Sequence, residues 1–227
     1  PQVDRFADMK VDMEAMDYAC GYEGAEYVPI WQKDAVPGVD FDQTHCATMR
    51  PGSLRLLAAL SARFGLSMRR WDFASAYLQG ALEDGVVVFC SAPPGYESFG
   101  ADGLPRIVQV VKPIYGMAQA GRRWQRSLFP WLEEFGFTPS ADDPCVFHMS
   151  RNGELLVIGC YVDDLVIISN DLTAVNEFKA LLGSRFKITD LKELKWILGM
   201  EVHRNRKART LTLHQRKYVK DILDVFK

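Results

Sequence analysis

The sequence has few cysteines and histidines and no long uninterrupted apolar run, which argues against several classes of protein. Its five cysteines are an odd number and include no C-x-x-C pair, so we predict reduced thiols in an intracellular protein rather than a disulfide framework. Cys145 and His148 have a ligand-like separation, but no second pair completes a zinc site, and we interpret both as packed side chains. The apolar stretch over residues 155–169 is interrupted by charge and too short to span a bilayer. We therefore expect neither secretion nor a membrane partner.

The chain also lacks a strong excess of one charge. Its 27 Lys and Arg residues against 29 Asp and Glu give a net charge of -2, which does not by itself indicate a nucleic-acid-binding protein. The acids are unevenly placed, because residues 1–30 carry seven acidic side chains and only two basic ones, so the remainder is mildly basic. A Pro-Gly turn in "VPGVDFD" begins at Val36. We predict an acidic N-terminal segment over residues 1–35, poorly ordered or truncated, and a folded domain over residues 36–227.

Four stretches have the periodicity of amphipathic helices. "SLRLLAALSARF" can be capped by Ser53, and "GRRWQRSLFPWLEEFGF" contains Pro130, which predicts a kink or a break. A third helix can be capped by Asp171 or Thr173. The apolar side chains that we expect on the buried stripes are Leu56, Leu60 and Phe64 in the first helix, Trp124, Leu128 and Trp131 in the second, Val175, Phe178 and Leu182 in the third, and Val219, Ile222, Leu223 and Phe226 in the fourth.

The β-rich stretches between these helices read as single strands and hairpins. "SMRRWDF", "GVVVFCS" and "RIVQVV" are short strands, "ELLVIGCYVDDLVIIS" is a hairpin, and "KWILGMEVHRNRKARTLTLH" is a second hairpin. Hairpins joined by single helices, rather than repeated β-α-β units, favour antiparallel pairing. We predict an α+β domain whose antiparallel sheet is covered by helices.

Two adjacent acids, Asp163 and Asp164, lie in the first of these hairpins, within an apolar run. Such carboxylates are costly unless a cation or strong hydrogen bonds meet them. A third acid, Asp72, ends the strand "RRWDF". Three carboxylates that hold two divalent ions, Mg²⁺ or Mn²⁺, are suited to in-line displacement at phosphorus. Two alternatives stay open: a solvated turn pair, or an acidic pocket of the receiver type, for which the expected β-α alternation is not evident.

Several blocks of the sequence, in their order, carry a more specific resemblance. They are "PGVDFDQT", "SLRLLAAL", "WDFASAYLQGALEDGVVV", "PPGYE", "IYGMAQAGRRWQRSLFPWLEEFGFTPSADDPCVF", "YVDDLVIIS" and "FKITDLKELKWILGMEVHRNRKARTLTLHQRKYVKDIL". Together they resemble the reverse transcriptase domain of copia-type LTR retrotransposons, from about Val36 to the C-terminal end.

This resemblance implies a right-hand polymerase fold, with a palm whose antiparallel sheet is flanked by helices and a partial fingers subdomain over residues 36–227. It implies RNA-directed DNA polymerase activity, in which deoxynucleotides are added to a primer 3′ hydroxyl. Asp72, Asp163 and Asp164 match the family's metal-binding and catalytic acids, and the main-chain carbonyl of Phe73 matches a further ligand of the two Mg²⁺ or Mn²⁺ ions.

The resemblance also implies a nucleotide site. Tyr77 matches an aromatic residue that stacks on the incoming sugar and excludes a 2′ hydroxyl, while Gly116 and Gln119 lie in the block that contacts the template base and the nucleotide. Without the family, Tyr77 reads as a core aromatic side chain and the Tyr-Gly pair before Met117 as an ordinary turn.

Two groups of residues match nucleic-acid contacts. Arg122, Arg123 and Arg126 open a helix and can face template phosphates, although a solvated basic helix start explains them equally well. Trp196, Gly199 and Met200 resemble the hairpin that holds the primer 3′ end, and the alternative is a plain apolar strand. The partners that the resemblance implies are an RNA or DNA template with its primer, a deoxynucleoside triphosphate and the remainder of a Pol polyprotein, in the cytoplasm or the nucleus.

The N-terminal part departs from the family. Where the family has a basic hairpin that holds the triphosphate, this sequence reads "EGAEYVPIWQKDA" with Lys33 alone. Ala118, Gly121, Thr189 and Lys192 also replace usual residues. Two alternatives therefore accompany the polymerase hypothesis: a catalytically weak or inactive nucleic-acid-binding remnant, and a fragment that does not fold stably alone.

Overall fold

The computed structural model describes residues 44–82, 88–92, 95–151 and 153–226. The predicted acidic segment over residues 1–35 and its boundary at Val36 lie outside these residues. Within them the chain forms two compact units, one of residues 44–46 and 75–131 and the other of residues 47–74 and 132–226. No helix in the described ranges is long and apolar enough to cross a membrane.

The predicted helices and strands occur in the α+β order that the sequence predicts, and the structure adds three strands that were not predicted, Thr138–Pro139, Val146–Arg151 and Ile188–Glu193. The helices are α1 (Pro51–Phe64), α2 (Ala120–Phe135), α3 (Leu172–Arg185) and α4 (Arg216–Val225), with a short 3₁₀ helix at Ala76–Gln79. The strands are β1 (Ser67–Phe73), β2 (Val88–Ser91), β3 (Ile107–Val110), β4 (Thr138–Pro139), β5 (Val146–Arg151), β6 (Glu154–Tyr161), β7 (Asp164–Ser169), β8 (Ile188–Glu193), β9 (Trp196–Ile197), β10 (Met200–Asn205) and β11 (Thr210–His214).

The larger unit is built on a six-stranded sheet with the order β4-β5-β6-β7-β1-β8. All of its paired strands are antiparallel, which confirms the predicted class of sheet. The middle of the sheet is its most apolar part, since β7 is buried from Leu165 to Ser169. Trp71 of β1 is fully buried and stacks on Phe178 of α3 at 5.6 Å between ring centroids. Helix α3 therefore covers the sheet with its predicted apolar stripe.

Hydrogen bonds at helix ends fix two of the helices in this unit. Asp171, one of the two predicted caps, caps α3. Its Oδ1 accepts hydrogen bonds from the amides of Thr173 and Ala174 at 2.9 and 3.0 Å. The predicted cap of α1 is wrong: the helix begins at Pro51, and the Ser53 hydroxyl donates instead to Asp143 at 2.5 Å.

A separate three-stranded antiparallel sheet in the larger unit has the order β11-β10-β9. A two-residue turn of Leu198 and Gly199 joins β9 to β10, and both residues have positive φ, 48° and 73°. Turns of this kind suit hairpins because their twist matches that of the strands, and glycine takes such a φ without strain.

The smaller unit has its own apolar core, beneath the two-stranded β2–β3 pair. The buried side chains of this core are Leu78, Cys90, Val108, Val110, Ile114, Met117 and Ala120. The boundary between the two units falls inside α2, after Trp131. Pro130 does not end that helix, which continues to Phe135, so the alternative of a break is wrong.

Two predicted buried stripes are wrong. In α1 the buried positions include Leu54, Leu57 and Ala58, while Leu56 and Phe64 are exposed, because a spacing of four residues fits both faces of so apolar a helix. In α4 no residue is buried, and the apolar side chains expected inside, Val219, Ile222, Leu223 and Phe226, all lie on the surface of the described residues.

Candidate active site

Two of the three predicted acids face each other across neighbouring strands. Asp72 of β1 pairs with Asp164 of β7 in the antiparallel register, and the amide of Phe73 donates to the carbonyl of Asp163 at 2.8 Å. Asp72 and Asp164 therefore form a pair without mutual hydrogen bonds, in which the Cα atoms typically lie about 4.5 Å apart and the side chains are close. Register alone brings the two carboxylates to one face of the sheet.

The third acid is in the turn that joins β6 to β7. Tyr161 pairs with Asp164, so Val162 and Asp163 form a two-residue hairpin turn. Val162 has a φ of 52°, a conformation in which a β-branched side chain is strained by about 1–3 kcal/mol and glycine is usual. This turn positions Asp163 beside the first residue of β7, and all three aspartates are partly exposed.

Arg70 compensates much of the charge at this face. Its Nε donates to Oδ1 of Asp164 at 2.5 Å, and the side chains of Arg70 and Asp164 are 23% and 15% exposed. Arg70 and Asp72 are two residues apart on β1 and so share one face of the strand. Metal ions were the predicted compensation for these acids, and Arg70 is an internal cation in addition to them.

The negative charge of Asp72 is less well compensated than that of Asp164. Burial raises the pKa of Asp72, the negative charge of Asp164 raises it further, and the positive charge of Arg70 partly lowers it. A further cation that binds close to Asp72 would therefore stabilise the ionised form of this carboxyl group. Perturbed acids grouped at a strand end are typical of functional sites.

The donor set fits a hard divalent cation in chemistry. Carboxylates and a main-chain carbonyl are the oxygen ligands that Mg²⁺ and Mn²⁺ prefer, and the site offers them from Asp72, Asp163, Asp164 and Phe73. The aspartate carboxylates are not as tightly grouped as a formed metal site would require. In the described ranges, the group of three possible ligands whose atoms all lie within 4.8 Å of one another is Glu201, His203 and His214, and it does not include the aspartates. One of the aspartate carboxylates, that of Asp164, already contacts the guanidinium of Arg70.

Arg70 also joins the acids to the hairpin that was predicted to hold a primer. Its Nη1 donates to the carbonyl of Trp196 in β9 at 3.3 Å. Trp196 is half-buried, with Lys217 Nζ 5.9 Å from the centre of its ring. Gly199 and Met200 form the end of the β9–β10 turn and the start of β10. The structure thus connects Trp196 to Asp164 through one guanidinium.

The predicted nucleotide residues lie in the smaller unit. Tyr77 is in the 3₁₀ helix and packs against Tyr115, with ring centroids 4.4 Å apart and a tilt of 30°. It also lies against the apolar core of this unit, so the interpretation as a packed aromatic side chain is correct, whatever its second role. Gly116 has a φ of 95°, which requires glycine, and Gln119 is buried at 9% exposure.

The three predicted arginines lie in the first turns of α2. Arg122 and Arg123 are half-buried and Arg126 is exposed. Burial lowers the pKa of Arg123, and the charge of Arg126 lowers it further, so these two guanidinium groups form a concentrated positive charge. The replacement of the family's usual residue by Gly121 also has a local reason. A Cβ at Gly121 would lie 2.9 Å from Cys46 Sγ, a distance that no side chain tolerates without a shift.

Sequence reasoning missed Arg70 and the buried acid Asp143. The signal for Arg70 was present, since a cation two residues before an acid on a strand shares its face. Asp143 is 3% exposed and anchors the start of α1, where Oδ2 accepts from the Arg50 amide at 2.9 Å and from Ser53. Its Oδ1 accepts from the Cys145 amide at 3.0 Å. Arg50 and Ser53 are 93 and 90 residues away from Asp143 in the chain, and no local pattern indicates these two partners.

Comparisons with known sequences point in one direction. The family model described as "Reverse transcriptase (RNA-dependent DNA polymerase)" matches residues 31–227. The Retrovirus-related Pol polyprotein from transposon RE1 of Arabidopsis thaliana is 32% identical over 187 residues, 82% of this chain and 12% of that protein. The corresponding polyprotein from transposon TNT 1-94 of Nicotiana tabacum is 30% identical over 191 residues, 83% of this chain and 14% of that protein. The chain thus spans a small part of the length of these relatives.

Among solved structures, similarity extends to a chain in the structure of telomerase from Candida albicans in complex with a TWJ fragment of telomeric RNA. The match has 8% sequence identity and a TM-score of 0.35, over 82% of this chain and 40% of that chain. A likeness of that size carries no argument about the site.

Proposed function

Because the chain belongs to the reverse transcriptase family, we propose that it is the polymerase domain of a copia-type retrotransposon Pol polyprotein, acting inside the cell as RNA-directed DNA polymerase. The resemblance to copia-type elements is confirmed by the family match and by the transposon relatives. The observation that carries the proposal is the register that sets Asp72 opposite Asp164, beside a hairpin turn containing Asp163.

We assign the six-stranded sheet to the palm of a right-hand polymerase and the smaller unit to part of its fingers. The antiparallel order β4-β5-β6-β7-β1-β8 supports the first assignment, since Asp72 and Asp164 lie on the neighbouring inner strands β1 and β7 and Asp163 lies in the turn that joins β6 to β7. The separate core of the smaller unit supports the second.

Asp72, Asp163, Asp164 and the carbonyl of Phe73 are the residues that would hold two Mg²⁺ or Mn²⁺ ions in this proposal. When bound, such ions lower the pKa of the attacking 3′ hydroxyl and stabilise the leaving pyrophosphate oxygen. The chain's own part is to fix the carboxylates. The strained turn at Val162 orients Asp163, and Arg70 holds Asp164 until a divalent cation replaces it.

The remaining residues bind substrate in this proposal. Tyr77 packs on the sugar of the deoxynucleoside triphosphate, with Gly116 and Gln119 beside the base pair. Arg122, Arg123 and Arg126 contact template phosphates without reading sequence, since guanidinium groups pair well with phosphate oxygens. Trp196, Gly199 and Met200 support the primer end.

Primer extension tests the proposal. The full chain is incubated with an RNA template, a DNA primer, deoxynucleotides and Mg²⁺ or Mn²⁺, beside Asp163→Asn and the matched control Asp142→Asn. Asp142 is an exposed aspartate of the same unit, so its variant loses the same charge at another place. We expect extension by the wild type and by Asp142→Asn, and none by Asp163→Asn. Equal incorporation by all three, or by none, would remove the catalytic proposal.

A second function, nucleic-acid binding without catalysis, is favoured by the ion pair of Arg70 with Asp164, which occupies a carboxylate that catalysis needs. It predicts binding to a primer–template duplex that weakens with salt, with no incorporation at any metal concentration. Fluorescence anisotropy on the duplex used for primer extension separates the two functions. A cooperative thermal unfolding curve for the same sample checks that the chain folds alone.

A further inference from the structure

The outer face of the β10–β11 pair carries a group of side chains that polymerase chemistry does not use. Glu201 and His203 are alternate residues of β10, so they point to one face, and His214 of β11 is directly opposite Glu201. On the other face of β10, Val202 is buried and Arg204 donates to Ser61. The group therefore lies on the side of the hairpin that faces away from the packed side chains.

The three side chains are close enough to share one ion. One ligand atom from each of Glu201, His203 and His214 lies within 4.8 Å of the other two. The two imidazole rings stack with centroids 4.7 Å apart and planes 18° from parallel, and Nδ1 of His214 is 3.3 Å from Oε2 of Glu201. Two nitrogens and one carboxylate oxygen are thus collected from two strands whose register is fixed by five residue pairs.

The two ring nitrogens of His214 have different surroundings. Its side chain is 17% exposed, and its Nε2 is buried and has no hydrogen-bond partner among the described residues. The other nitrogen, Nδ1, lies near Glu201 and 3.5 Å from the amide of Arg216. His203 is exposed, which gives the group an open side by which an ion enters.

We propose that Glu201, His203 and His214 form a binding site for a divalent transition metal, with Zn²⁺ as the best fit. Imidazole nitrogens select such ions over Mg²⁺ and Ca²⁺, and three protein ligands with water in the fourth position is a common zinc arrangement. Parallel rings cannot both direct a nitrogen lone pair at one ion, so the exposed His203 ring rotates away from the stack when the ion binds. The bound ion fastens β10 to β11 by side chains as well as by backbone hydrogen bonds.

Titration calorimetry with ZnCl₂ on the full chain tests this site, and it does not depend on the polymerase proposal. We expect one high-affinity Zn²⁺ ion per chain, and a loss of affinity for this ion on the order of tenfold or more in His203→Ala, since even outer-shell changes at zinc sites cost that much. His148→Ala is the matched control, because His148, which the sequence suggested was packed, is in the structure an exposed histidine on a strand. This variant keeps the wild-type affinity.

Two further measurements distinguish binding at this site from binding at the aspartates and from nonspecific metal binding. Asp164→Asn is expected to bind Zn²⁺ as the wild type does, and Zn²⁺ is expected to raise the melting temperature of the wild type but not of His203→Ala. The visible spectrum of the Co²⁺-loaded chain should show the bands of a four-coordinate ion and lose them in His203→Ala. Unchanged zinc affinity in His203→Ala, or loss of binding in Asp164→Asn alone, would overturn the proposal.

Discussion

Arg70 and Asp164 form a hydrogen-bonded ion pair between the neighbouring strands β1 and β7 of the six-stranded sheet, with Nε 2.5 Å from Oδ1. The pair lies beside Asp72, which is opposite Asp164 in the register. Arg70 is therefore a cation built into the place where the proposed polymerase needs a metal ion. This relationship leads to a prediction about the affinity of the site for divalent ions.

Replacing Arg70 by Gln should tighten the binding of Mn²⁺ to the aspartates. The substitution removes a cation that competes for Asp164, and the gain is roughly fivefold if the pair contributes about 1 kcal/mol. Electron paramagnetic resonance of free Mn²⁺ measures the affinity without any need for activity. Arg69→Gln is the control, because Arg69 is on the other face of β1 and pairs with Asp190. Equal affinities in Arg70→Gln and wild type would show that the pair does not compete with the metal.

Replacing Asp72 by Asn should stabilise the metal-free protein at neutral pH and abolish primer extension. Burial and the charge of Asp164 raise the pKa of Asp72, so the carboxyl group of Asp72 binds a proton more tightly in the folded protein than in the unfolded chain. The cost of the ionised carboxylate is therefore complete above the raised pKa and vanishes below the unfolded value of about 3.9.

Thermal unfolding of the wild type and Asp72→Asn at a series of pH values checks this. The variant's higher melting temperature should be largest near pH 7 and should shrink towards pH 4. A variant that melts below the wild type at neutral pH would contradict the assignment of Asp72 as a destabilising, functional acid.

Replacing Asp143 by Asn should destabilise the fold by about 1–3 kcal/mol, because a buried acceptor of several hydrogen bonds loses at least one of them. Burial alone would raise the pKa of Asp143, but hydrogen bonds from Ser53, Arg50 and Cys145 and the charge of Arg50 outweigh it and lower the pKa. The stabilisation is thus present above the unfolded pKa of about 3.9 and is lost as the pH falls through the lower folded pKa.

Urea unfolding at pH 7 and at decreasing pH measures this contribution. Ser53→Ala, which removes one of the donors, should cost less, about 0.5–1.5 kcal/mol. The difference in the free energy of unfolding between wild type and Asp143→Asn should be constant near neutral pH and should shrink at acidic pH. A gap that is absent at pH 7 would mean that these hydrogen bonds do not hold α1 in place.

The sequence by itself determined the class of fold, the hairpin with the two aspartates and the cap at Asp171. Each of these depends on neighbours in the chain, namely the alternation of apolar side chains, a two-residue turn, or an acid at a helix start. The sequence also indicated the third acid, Asp72, at the end of a strand, and the resemblance added the roles of the residues around these acids. The sequence did not determine which leucine of α1 is buried. Both Leu56 and Leu57 fit a helical period, and only packing against the rest of the fold buries Leu57 and leaves Leu56 exposed.

Tertiary structure decided the relationships that cross strands and elements. Whether Arg70 meets Asp164, which groups Asp143 anchors and whether His203 and His214 share a face depend on strand register and on contacts between residues far apart in the chain. A shift of one residue in strand register would turn Arg70 or His203 to the opposite face of its sheet. Local sequence does not encode that choice. It is made when the whole apolar surface of β1, β7 and α3 is buried at once.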